Sequence, residues 1–139
     1  MDASATVVIF LSYLAAFLAT RLALAAWQQQ SPGNHWLPWS RPFAIMMLAL
    51  AQWSLALALE LSAQTTESAV VWRVLQMVGV SIMPVAWLLF AAGYSKREHL
   101  VSARTRRFLY AISFVTIALA LTNSRHGLLW QSWPALEPG

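Results

Sequence analysis

The stretch YSKREHLVSARTRRF, Tyr94 to Phe108, sets Lys96, Arg97, Arg104, Arg106 and Arg107 against one acid, Glu98, and long apolar runs adjoin it on both sides. Short basic loops between apolar runs stay on the cytoplasmic side of a membrane during insertion. The five basic residues are therefore topology anchors. They make the flanking runs membrane spans and the loop 95–107 cytoplasmic.

Composition agrees. Charged residues are 10% of the chain and apolar residues 59%, whereas a soluble domain carries about a quarter charged residues to cover its surface. Backbone in hydrocarbon must satisfy its own hydrogen bonds, and apolar runs that lack two-residue alternation do so as helices. The expected class is all-α: an integral membrane protein of four transmembrane helices in an up-down bundle, one domain over 1–139. The spans fall at about 5–27, 43–61, 70–94 and 108–122, each meeting or approaching the roughly 20 residues that cross the hydrocarbon core. The last is short, so Arg106 and Arg107 are expected to snorkel to the headgroups.

The first connection, 28–41, holds a Gln run, Ser31, Pro32, Gly33 and Asn34, and Pro42 suits a helix start. Trp36 and Trp39 suit the membrane interface. The second connection, 62–69, carries Glu67 and no base, so it faces outward. Threading the loops puts both termini outside, Arg41 inside and the tail from Asn123 outside. A cleaved signal peptide ending at the small-x-small stretch Ala23-Leu24-Ala25 is the competing reading of the first span. It fits less well, because the first five residues hold an acid and no base, Arg21 interrupts the apolar run, and cleavage would leave the basic loop outside.

The net charge of +4 lies beside apolar spans and forms no aromatic-interleaved stripe, which points to anionic lipid and away from nucleic acid. Cysteine is absent, which excludes disulfides and thiolate metal sites. His35, His99 and His126 fall in loops, whereas a membrane haem takes axial ligands from helices. No catalytic motif, metal site or cofactor is expected.

Besides Arg21 in the first span, two charges lie within the spans. Glu60 ends the second and Arg73 stands one turn inside the third, so a short outer loop brings them to similar depth as an ion pair. Charges inside spans are costly and usually paired toward the interior or a wet cavity. The pair reads either as a structural clamp at the interface or as a ligand contact. Arg73, Gln76, Val80, Met83 and Trp87 recur at helical spacing on the third span; such a stripe either lines a pocket or packs against a neighbouring helix. Trp53 shares the face of Glu60 and suits a place beneath the pair. Pro84 deprives the Val80 carbonyl of its partner and Gly79 allows close approach, which makes the two either a hinge or a fixed bend.

Four stretches occur in a telling order: RPFAIMMLALAQWSLALALEL (Arg41–Leu61), VWRVLQMVGVSIMPVAWLLFAAGY (Val71–Tyr94), the basic loop, and LTNSRHGLLW (Leu121–Trp130). Together they resemble the N-terminal seven-helix sensor region of bacterial membrane histidine kinases. The likeness rests on Trp53 with Ala58-Leu59-Glu60-Leu61, then on Trp72, Arg73, Gln76 and Gly79 followed by Pro84, Trp87 and Phe90. It ends on Thr122, Asn123, His126, Leu128 and Trp130. It covers about four fifths of the chain. The resemblance implies a signal-sensing domain in the bacterial inner membrane, binding a ligand or partner at the outer end of its helices. Family members continue through three more helices into cytoplasmic PAS, dimerisation and ATP-binding modules. The chain reads as a fragment of such a protein or as a short protein keeping half the sensor, and no kinase activity is expected of it.

The alternative is a structural or accessory subunit of a larger membrane complex, using its eight tryptophans against other membrane helices or a second copy of itself. A small transporter is a weaker reading, since no paired Gly/Pro interruptions or inverted repeat appear.

Overall fold

Alanine decides how closely these helices approach. A computed structural model describes residues 3–28, 37 and 39–129, and among them the buried apolar positions are almost all alanines. Membrane helices are not driven together by the hydrophobic effect, so they associate through small residues that let backbones pack closely, while large side chains meet lipid. No large side chain is fully buried among the described residues, and Phe114 is 73% exposed.

The chain forms α1 (Ala3–Gln28), α2 (Ser40–Leu61), α3 (Thr66–Tyr94), a single 3-10 turn (Glu98–Leu100), α4 (Ala103–Leu121) and a short α5 (Asn123–His126). The class is all-α. Helices α1, α2 and α3 are long and apolar enough to cross a membrane; α4, with 19 residues and three arginines near its start, is not among them.

Packing follows chain order: α1 meets α2, α2 meets α3 and α3 meets α4, with no other pairing of these four helices among the described residues. The four lie in a row, whereas a closed four-helix bundle would also bring α1 to α4. The cause is visible on α2. Its Ala44, Ala51 and Ala58 lie on one face, and Ala49 and Ala56 on nearly the opposite one. It is therefore a middle layer, with the small-residue stripe Ser12, Ala16, Ala19, Ala23 and Ala26 of α1 on one side and α3 on the other.

The basic loop is shorter than 95–107. α4 begins at Ala103 because the Ser102 hydroxyl accepts the Thr105 amide at 3.1 Å as its N-cap, and arginine is a good helix former. Arg104, Arg106 and Arg107 thus stand in the first turns of α4. α3 ends with Lys96 in the left-handed conformation (φ 58°); the Arg97 amide reaches back to Ala92 O and the Lys96 amide to Gly93 O, a Schellman ending. α2 begins at Ser40, with Pro42 in its first turn where no intrahelical amide bond is lost. The loop residues Ser31, Pro32, Gly33, Asn34, His35 and Trp36, and Trp130 in the tail, lie outside the described residues.

Candidate functional site

The turn between α2 and α3 sets the register that builds the site. Ser62 continues the α2 hydrogen bonding to Ala58 O, the Ala63 amide reaches Glu60 O at 3.1 Å, and the Thr65 hydroxyl caps α3 by accepting the Ser68 amide at 3.2 Å. So short a connection folds α3 back antiparallel on α2. The last turn of α2 then faces the second and third turns of α3.

Glu60 receives three donors from that face. Its Oε1 accepts from Arg73 Nε at 2.7 Å and also from Arg73 Nη2, and its Oε2 accepts from Gln76 Nε2. The Glu60 side chain is 11% exposed and that of Arg73 35%; Gln76 is 7% exposed. It is the only ion pair among the described residues. A nearly buried carboxylate bonded on both oxygens is a satisfied charge, but Arg73 is not exhausted: a guanidinium has five N–H donors, and Nη1 has no hydrogen-bond partner among the described residues.

Below the pair the α2–α3 seam continues. Gln52 Nε2 donates to the Leu75 carbonyl at 2.8 Å, and its Oε1 is buried without a partner. Gly79 comes next, against Ala49 and Trp53. At the far end Trp39, Phe43, Phe90 and Tyr94 form an aromatic cluster, with ring centroids 5.5–6.4 Å apart. Sequence reading places Trp39 at an interface without its ring partners, because the spacing within one helix does not reveal which rings meet across two.

Of the residues singled out in the sequence, the structure brings together Glu60, Arg73 and Gln76. Trp53 is half-buried and stands beside Gly79, about two helical turns below Glu60. Trp87 is 57% exposed and lies roughly 16 Å along α3 from Gln76, at about 1.5 Å per residue. The stripe from Arg73 to Trp87 therefore leaves the seam, since Val80 is also exposed. α3 continues without interruption through Pro84. Near it the Ser113 hydroxyl of α4 donates to the Ser81 carbonyl at 2.7 Å.

The Thr122–Leu128 motif is a hydrogen-bonded turn at the Glu60 end. Asn123 is buried, and its Oδ1 accepts the Leu129 amide at 2.8 Å. His126 Nδ1 accepts the Leu128 amide at 3.1 Å, its Nε2 lies 3.0 Å from the Thr122 hydroxyl, and Gly127 turns the chain at φ 60°. With Nδ1 occupied as an acceptor, Nε2 carries the proton.

A row of apolar helices with one nearly buried carboxylate–guanidinium pair at one end defines a membrane-type helical protein whose one ion pair, among the described residues, lies in the α2–α3 seam. The chain belongs to the family described as the N-terminal 7TM region of histidine kinase, whose family model matches residues 10–138. No curated protein and no solved structure matched it. The family is a sensor region and not a catalytic domain.

Proposed function

We propose that this chain is the signal-receiving part of a two-component sensor in the bacterial inner membrane, and that Glu60, Arg73 and Gln76 are its receiving element at the outer end. The basic turn between α3 and α4 faces the cytoplasm, α4 crosses as a fourth span, and both termini lie outside. The carrying observation is the unspent Nη1 of the partly exposed Arg73, which leaves an anionic ligand a donor beside a carboxylate already bonded on both oxygens. Such a ligand would compete with Glu60 for Arg73 and so loosen the α2–α3 seam, which is a route from binding to a helix shift.

The test is genetic. Chromosomal Glu60→Gln and Arg73→Gln strains are compared with a deletion strain by transcript profiling, with membrane levels of the protein measured by immunoblot. The expected result is loss of the deletion strain's target response at unchanged protein level. Normal responses in both variants would remove the site, and a deletion without transcriptional effect would remove the sensor reading.

A second reading, a subunit of a larger membrane complex, draws support from the row itself: α1 and α4 each pack against one long helix only. Fixed partners co-purifying in mild detergent, or a stable homo-oligomer, would favour it.

A further inference from the structure

We propose that the cavity at the basic end of the helices binds the phosphate of an anionic phospholipid headgroup, with Arg41 and Arg106 as its anion contacts. The cavity measures about 470 Å³, within the roughly 300–1,000 Å³ of small-molecule sites. The first turns of α2, the last turns of α3, the 3-10 turn and the start of α4 line it, and it is open on one side. It lies at the opposite end of α2 and α3 from Glu60 and does not depend on that site.

Arg41 and Arg106 come from different helices and converge on this one space. Neither takes part in an ion pair among the described residues. Two guanidinium forks able to bond phosphate oxygens bidentately are the donor set that a phosphodiester needs. Glu98 also lines the cavity, so the three ionised groups sum to one positive charge, which one phosphodiester balances. A zwitterionic headgroup would leave that charge uncompensated. Tyr110 adds a phenol, and Ile45 and Leu89 add apolar lining suited to the glycerol and the first acyl carbons. The cavity sits at the ends of two helices long enough to cross a membrane, the depth at which basic pockets between helices take anionic headgroups.

The full chain, delipidated in mild detergent, would be titrated with phosphatidylglycerol, phosphatidylethanolamine and phosphatidylcholine and read by native mass spectrometry. We expect one phosphatidylglycerol per chain, held about tenfold more tightly than either zwitterionic lipid. Arg41→Gln and Arg106→Gln should each weaken it about tenfold, while Arg104→Gln, which removes the same charge from the same turns of α4 outside the cavity, leaves it unchanged. If a glutamine variant loses helicity by circular dichroism, Arg41→Lys or Arg106→Lys takes its place and should weaken binding several-fold through loss of the fork. Equal loss in Arg104→Gln would overturn the site in favour of diffuse attraction. Equal binding of phosphatidylethanolamine would overturn the anionic assignment, and displacement by glycerol phosphate at the lipid's own concentration would overturn the lipid as the source of the phosphate.

Discussion

Gly79 of α3 lies against the backbone carbonyl of Ala49 on α2, so closely that a Cβ on Gly79 would stand 2.6 Å from that oxygen and 2.5 Å from Gln52 Oε1. The Gln52 amide can swing aside, but the carbonyl belongs to a helix and cannot. Gly79→Ala should force the helices apart and cost about 1–3 kcal/mol, with the Gln52–Leu75 bond lengthened or lost. Unfolding in detergent followed by circular dichroism measures this. An unchanged midpoint would mean that the seam is slack enough to take a methyl group.

The Glu60–Arg73 pair should respond asymmetrically to truncation. Arg73→Gln leaves a nearly buried carboxylate facing only Gln76 and should cost about 2 kcal/mol, less than the roughly 3–5 kcal/mol of a fully buried pair because Arg73 is 35% exposed. Glu60→Gln leaves a guanidinium that can turn toward water, so it should cost less. The double variant Glu60→Leu/Arg73→Leu should recover much of the Arg73→Gln loss, since no lone charge remains. A double-mutant cycle in detergent built on Glu60→Leu, Arg73→Leu and their double variant decides the matter, and simple additivity would show that the two side chains do not interact.

Lys96 terminates α3 with φ 58°, a conformation that costs an L-residue about 1–2 kcal/mol and glycine almost nothing. Lys96→Gly should therefore raise stability by up to about 1 kcal/mol after the added freedom of the unfolded chain is subtracted. It should leave orientation unchanged, because Arg97, Arg104, Arg106 and Arg107 remain in the same short segment. A fall in stability would show that the Lys96 ammonium contributes more than its backbone strain costs.

What is legible in the sequence is what depends on local order. Apolar length and charge placement locate α1, α2 and α3 to within a few residues, and the short Glu60–Arg73 separation across one turn is enough to pair them. All four long helices start earlier than the apolar runs suggest, and α3 and α4 by the most: α3 because Thr65 caps a polar first turn, and α4 because a run of arginines resembles a loop until Ser102 is seen as its cap. The row arrangement, the Gly79–Ala49 contact, the aromatic cluster and the convergence of Arg41 and Arg106 on one cavity depend on which faces of different helices meet. One sequence carries no direct record of that. A hint is present in α2, whose alanines occupy two faces as a middle helix requires.

Whether α4 crosses the membrane decides on which side the tail lies. From Phe108 to Leu121 the helix spans roughly 21 Å at about 1.5 Å per residue, short of the ~30 Å hydrocarbon core. To cross, it must draw its first turns into the membrane, with the stems of Arg106 and Arg107 in the apolar layer and their heads at the phosphates. The chain has no cysteine, so single cysteines can be placed at will on exposed positions: Gln64→Cys in the α2–α3 turn, His99→Cys in the basic segment and Arg125→Cys beyond α4. A membrane-impermeant maleimide should label positions 64 and 125 from outside and position 99 only after permeabilisation. Labelling of 99 and 125 from the same side would make α4 a surface helix, with its exposed Phe114 and Leu121 inserted from one face, and the tail would then lie in the cytoplasm.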